Sequence, residues 1–315
     1  MSLKPTLSKL LPSIIFFVVM FMSSLAINPS MIFYLPSTLI IYLPYAFLGM
    51  GQLFVMMTGE IDISLGTAIS LINVSFVTLY GRGINGPVLI IFPILLGLII
   101  GIINGILVGF VRINSLLATI ATMSVWQGLA LYILPSPGGS LPFWLIKNVT
   151  SSVFYFPSYV IFIIILLVIW YVFKKHKYLK YFYSTGSDIK SAFENGINVN
   201  YMKFFAFVLD GLMIGIAGLI VTSYMTSGDA TVGPEFLLPS IVAAVIGGAS
   251  LYGGKGDILA TMLSGLGLGF LNNTLFAITT LVIPPAYSSL YKDFIYGVIL
   301  IITLILIGAY EAKRK

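Results

Sequence analysis

The chain has 315 residues, of which 59% are hydrophobic and only 26 are charged, 16 Lys or Arg and 10 Asp or Glu. A soluble domain needs about 25% charged residues to solvate its surface, so composition alone excludes a soluble globular protein. The net charge of +6 therefore bears on the side of a membrane rather than on nucleic acid. With no cysteine and one histidine, His176, there is no basis for disulfides, thiolate chemistry or a histidine-rich metal site.

The apolar residues fall in blocks of about 20, the length that crosses a hydrocarbon core roughly 30 Å thick. Hydropathy and helix breakers predict spans near residues 11–27, 36–57, 62–80, 88–111, 116–134, 156–173, 204–226, 238–252, 258–280 and 293–310. The expected fold is an all-α polytopic membrane protein, a single transmembrane domain over residues 1–315. The first 27 residues also have the basic start, apolar run and small-residue end of a signal peptide. Removing them would leave nine spans and strand the basic tail outside, so a signal anchor is the better reading. The second span is interrupted by Pro44 and by glycines at 49 and 51. The eighth starts at Pro239 and runs into Gly247 and Gly248, and both are candidates for broken or re-entrant elements. Ten spans put both termini on one side. With the termini in the cytoplasm, 13 of the 16 basic residues are cytoplasmic and Arg82, Lys147 and Lys292 are left outside.

The fourth span carries Gly97, Gly101, Gly105 and Gly109 at i, i+4 spacing, and the seventh carries Gly211 and Gly215. Such stripes let helix backbones approach closely, so these six are expected at helix contacts. Gly101-x-x-Asn104 recurs as Gly269-x-x-Asn272 five spans later. An odd offset reverses orientation, so the recurrence predicts an inverted repeat pairing spans 2–5 with 7–10.

Of the ten acids only Asp210 lies clearly inside a predicted span, and near the cytoplasmic face it is expected to contact water or Lys203. The other polar groups in the spans are neutral. Asn73, Asn104, Thr119, Gln127, Asn272 and Asn273 are the candidates for a translocation pathway, with Thr122, Ser124 and Thr274 beside them. Each hydroxyl of a solute costs about 1–3 kcal/mol to strip of water without a replacement partner, and such a lining would supply one. The competing role is hydrogen bonding between helices. The stretch Ala249 to Gly256 imitates a phosphate-binding loop but lacks its first glycine and the hydroxyl after the lysine. The chain is therefore not expected to hydrolyse ATP, and no catalytic residue or metal site is assigned.

The cytoplasmic loop at 174–203 contains a short predicted helix at about 187–196. Ser187 is its candidate cap, Ser191 with Glu194 offers a second capping-box spacing, and Gly196 is the stop. Ile189, Ala192, Phe193 and Gly196 fall on one face. Two turns are marginal alone, so the face is expected to meet another protein or the membrane surface.

Four stretches resemble the permease subunits of ABC importers for monosaccharides, the ribose, xylose and galactose type. They are Gly59 to Gly66, Ala192 to Val199, Gly211 to Gly218, and Ala244 to Thr261 followed by Gly269 to Asn273, in matching order along residues 35–310. The resemblance implies import of a monosaccharide, a pentose such as xylose, arabinose or ribose, by alternating access. It implies a second permease copy or close paralogue, cytoplasmic ABC ATPase subunits that supply ATP and Mg, and an extracytoplasmic sugar-binding protein. The segment with Ser187, Ile189, Ala192, Phe193, Glu194, Gly196 and Ile197 then corresponds to the ATPase-coupling helix. Glu60 and Asp210 depart from the family pattern and inherit no role. A permease for nucleosides or another small polar solute, and an ion-coupled secondary carrier, are the alternatives.

Overall fold

The structure, a computed structural model, describes residues 4–153, 156–282 and 288–312. Its α helices are α1 (Lys4–Ile27), α2 (Met31–Met57), α3 (Leu65–Gly81), α4 (Val88–Gly105), α5 (Ser115–Ile133), α6 (Phe143–Thr150), α7 (Ser158–Lys175), α8 (Lys177–Ser187), α9 (Ile189–Glu194), α10 (Val199–Met225), α11 (Leu237–Ile246), α12 (Ile258–Val282) and α13 (Ser288–Ala312). Each predicted span falls on one of these helices. Among the described residues, seven helices are long and apolar enough to cross a membrane: α1, α2, α4 with its π-helical extension Ile106–Phe110, α5, α7, α10 and α12. The α3 helix and the unit formed by the 3-10 turn Pro234–Phe236 with α11 are shorter.

The bundle is organised by where it buries and what it leaves to lipid. In α2, buried residues run without interruption from Tyr42 to Met57. This helix passes through Pro44 and Gly49 to Gly51 unbroken, contrary to one of the two expected breaks. The other candidate, α11, stops at Ile246 before Gly247, and a further irregular stretch precedes it. Thr226 to Gly233 is irregular, and helix resumes only at Pro234. The lipid-facing surface is apolar, with Ile15, Val18 and Met22 of α1 and Ile91, Leu95 and Ile99 of α4 exposed. At the end of α7 the ammonium of Lys174 lies over the Trp170 ring and that of Lys175 over Tyr171, as at a membrane boundary where an apolar stem ends in a charge.

The glycine stripes make the closest contacts. A Cβ on Gly97 or Gly101 would run into the backbone of Gly211, one on Gly105 would come within 2.8 Å of the Phe204 carbonyl, and one on Gly109 within 2.6 Å of that of Asn200. Gly215 sits 2.7 Å, measured the same way, from the Ile94 Cα. The order of these contacts makes α4 antiparallel to α10. On the other side, Gly265 and Gly269 of α12 press in the same way on Ala46 and Tyr42 of α2. The 27-residue helices α2 and α10 are thus each crossed by a glycine face, α12 on α2 and α4 on α10.

Candidate functional site

Two irregular segments penetrate the bundle and meet. The first, Thr58 to Ser64, joins α2 to α3. At its outer end Glu60 pairs with Lys203, and at its inner end it reaches Asp210. Asp210 lies 11 residues beyond the start of α10, about 17 Å along it at 1.5 Å per residue. This depth is greater than the predicted span implied because α10 begins at Val199 rather than near 204. The expected partner is also wrong, since Lys203 pairs with Glu60 and not with Asp210.

The second segment, Thr226 to Gly233, joins α10 to the Pro234 turn and runs back along α3. The Asn73 amide donates to the Thr222 hydroxyl (3.3 Å) and the Ser227 carbonyl (3.1 Å), and its oxygen accepts from the Asp229 N–H at 2.6 Å. The Gln127 amide donates to the Ala230 carbonyl at 2.9 Å, and the Ser70 hydroxyl accepts from the Gly233 N–H at 2.9 Å. Gly228 and Gly138 exchange backbone bonds of 2.8 and 2.9 Å. Away from water, irregular backbone persists only where such partners satisfy it. Replacing Asn73 with leucine removes three of these bonds at once. At about 1 kcal/mol net for each bond, a drop in thermal midpoint of several degrees is expected for the detergent-solubilised chain, measured by intrinsic fluorescence.

The two segments share a pattern. Asp62-Ile-Ser64-Leu-Gly66 and Asp229-Ala-Thr231-Val-Gly233 both read Asp-x-Ser/Thr-x-Gly, and each is preceded at the same distance by a left-handed residue, Gly59 and Thr226. In each, the carboxylate accepts from the N–H two residues on, at 2.6 Å in the first and 2.7 Å in the second. Each leads into a short helix, and the two terminal glycines face each other. A Cβ on Gly66 would lie 2.8 Å from the Gly233 carbonyl, and one on Gly233 would overlap the carbonyl of Gly66. The pattern is visible in the sequence at nearly the same offset as the Gly-x-x-Asn recurrence.

Most of the predicted pathway residues turn inward to the frame. The Asn104 amide donates to Asp62 (3.1 Å) and to the Ser64 hydroxyl (2.8 Å). Thr119 accepts from the Ile63 N–H at 3.2 Å, and Ser115 beside it accepts from Ile61 at 3.3 Å. Asn273 donates to Ser24 of α1 at 2.8 Å, so it ties helices together. Asn272 is half-buried on α12. Asn73 and Gln127 hold the second segment, as described. On the outward face of α5, Ser124 and Gly128 are exposed among Leu117, Ile120 and Val125.

The loop at 174–203 forms α8 and α9. Tyr183 of α8 donates to the Gly256 carbonyl at 2.6 Å; burial first, then the nearby Asp257 carboxylate, pushes its phenol up to about 12. The helix cap differs from expectation. Ser187 is the last residue of α8, packed against Gly254, and Asp188 caps α9 by accepting from Lys190 (3.0 Å) and Ser191 (3.2 Å). Asp188 wins because its carboxylate presents a charged acceptor to the first free N–H groups. Ser191 and Glu194 lie within the helix rather than at a capping box. Gly196 (φ +76°) ends α9, with the Ile197 N–H reaching the Ala192 carbonyl at 3.0 Å. The predicted common face is split: Ala192 is buried at 2% exposure, whereas Ile189 is 53% and Phe193 74% exposed. These two point over a groove of about 1070 Å³ bordered by Glu60, Arg112, Asn114 and Lys203.

A bundle of apolar helices long enough to cross a membrane repeatedly, with buried irregular segments between them held by interior amides and hydroxyls, has the architecture of a solute permease. Residues 34–304 match the family described as branched-chain amino acid transport system / permease component, and the chain belongs to that family. The ribose import permease protein RbsC of Haemophilus influenzae is 31% identical, over 73% of this chain and 73% of its own. RbsC of Escherichia coli K12 is 30% identical over 82% of this chain and 81% of its own, and the D-allose transport system permease protein AlsC of the same strain is 31% identical over 72% and 71%. The autoinducer 2 import system permease protein LsrD of E. coli is 31% identical over 70% and 69%. No solved structure matches the chain significantly. The chain is accordingly a permease of the ABC-importer kind and a multi-pass membrane protein.

Proposed function

We propose that this chain is the membrane-spanning subunit of an ATP-driven importer for a monosaccharide, a pentose in our reading. The relatives' names support a sugar. The observation that carries the mechanism is α9, an exposed apolar pair on a rigidly capped helix beside a cytoplasmic groove, where a partner can push on the protein. ATP and Mg are handled by that partner ATPase, a binding protein outside delivers the sugar, and a second permease copy or paralogue completes the cavity. In this reading the ten helices span the membrane with both termini in the cytoplasm, and the halves 2–5 and 7–10 form an inverted repeat. The matched Asp-x-Ser/Thr-x-Gly turns and the two glycine-faced crossings support that repeat. Asn73, Thr119 and Gln127 reach the solute only through the segments they hold, while the exposed Ser124 and Gly128 of α5 offer a polar strip toward the second copy.

The test is uptake by proteoliposomes holding the permease, its ATPase and its binding protein. Accumulation of labelled pentose is expected with ATP inside and is expected to survive collapse of proton and sodium gradients. Uptake driven by an ion gradient without the ATPase would establish a secondary carrier instead.

A further inference from the structure

Asp62, on the 58–64 segment, and Asp210, on α10, lie beside each other in the middle of the bundle, each within the other's electrostatic reach. Asp62 is 1% exposed and Asp210 is fully buried. Asp62 is well supplied, accepting from the Ser64 N–H at 2.6 Å and from the Asn104 amide at 3.1 Å. Asp210 is not. Among the described residues no donor reaches either of its oxygens, and Gly51 of α2 packs so closely that a Cβ there would overlap Oδ1. The oxygen of the Asn104 amide, which the two bonds of its nitrogen hold against this pair, is also buried without a partner.

Among the described residues, the helices around the pair offer no compensating charge. The segments α2, α3, α4, the π-helical turn and α5 contain no Asp, Glu, Lys or Arg. The nearest cation on α10, Lys203, is paired with Glu60. Arg112 borders the cytoplasmic groove, and the lysines of α8 and α9 lie in the cytoplasmic loop. Two carboxyls in contact inside a low-dielectric region cannot both be ionised, and two acceptors bond only through a shared hydrogen.

We propose that the Asp62–Asp210 pair is a proton-binding site, with Asp210 the acid and Asp62 the carboxylate, and that its proton is exchanged with the cytoplasm through the Glu60 end of the groove. The proton makes a hydrogen bond out of what would be a repulsion, and so holds the 58–64 segment against α10. When that segment moves away on opening toward the cytoplasm, water reaches Asp210 and the proton leaves for the cytoplasmic side. Opening is then linked to the release of one proton and is favoured up to tenfold per unit rise in internal pH. This linkage rests on the transport reading; the proton-binding site does not.

The test is infrared spectroscopy of the purified full chain, with isotope-labelled aspartate, at pH 7. A carbonyl-stretch band from a protonated aspartic acid is expected in the unaltered protein and is expected to vanish in Asp210→Asn, whose amide donates to Asp62 in place of the acid. Absence of the band, or its persistence unchanged in Asp210→Asn, overturns the proposal. Should that variant fail to fold, Asn104→Leu removes the donor to Asp62, and a shifted band supports the pair while an unshifted one overturns it. No cargo is needed, so the result stands apart from any failure of the importer reading. In the assembled importer, uptake is expected to depend on internal pH, and the dependence is expected to be lost in Asp210→Asn; an unchanged pH profile in that variant overturns the linkage.

Discussion

Replacing Gly101 with leucine is expected to abolish the folded permease. Gly101 lies against the Phe207 carbonyl and the Gly211 backbone, so the obstruction is main chain on a rigid helix, with no flexible side chain to swing aside. Overpacking in an ordinary core costs about 1–3 kcal/mol, because neighbouring rotamers absorb part of it. Here α4 and α10 have to separate along a crossing that runs from Gly97 to Gly109, and the loss is expected to exceed that range. Lipid gives no hydrophobic drive to hold them together, since association in a bilayer rests on this packing. Monodisperse protein in size-exclusion chromatography after detergent extraction is the measurement, and a yield below a tenth of the unaltered chain is the expected result. Gly128→Leu is the control. It has the same composition change, but nothing lies within 4 Å of a Cβ at that position, so normal yield is expected.

The second large effect is expected at Phe193. A Phe193→Asp variant is expected to fold and insert normally, because the side chain is exposed in the isolated chain and its helix is fixed by Asp188 and Gly196 at the two ends. In the proposed importer the same substitution puts a carboxylate at the proposed apolar contact with the ATPase. Loss of a buried aromatic anchor costs at least about 2 kcal/mol, roughly 30-fold in affinity, and desolvating the new charge adds to it. Co-purification of the ATPase and sugar uptake are expected to fall together while permease yield is unchanged. Normal uptake in this variant would remove α9 from the coupling role. Ala192→Arg is a poor substitute, since Ala192 is buried and a bulky cation there disturbs the loop itself.

The contrast between those two residues shows what the sequence carries and what it withholds. The membrane-length helices were legible, because a lipid-facing stretch such as Ile91 to Ile99 has no other way to satisfy its backbone, whereas α6 and α8 carry no such signal and were not. The glycine crossings were also legible, since i, i+4 spacing on a helix is a statement about one face. The split of Ala192 from Phe193 was not, because a two-turn helix has no buried stripe wide enough to assign a face by period. The polar interior was the least legible part. Asn73, Asn104 and Thr119 stand out in the sequence as polar groups inside spans, but their bonds to the two irregular segments depend on contacts between residues far apart in sequence, such as Asn73 with Asp229. For the same reason Asp62 was read as part of a span end, and its pairing with Asp210, 148 positions later, had no local signal.

The meeting of Gly66 with Gly233 has a mechanical consequence. Where the two shorter helices abut, Gly66 meets Gly233 backbone to backbone, while Ser70 and Asn73 of α3 hydrogen-bond the segment that ends there. Such a close backbone joint resists compression. It can therefore act as the fulcrum about which one half of the protein tilts on the other, while the glycine-faced crossings on either side move as stiff levers.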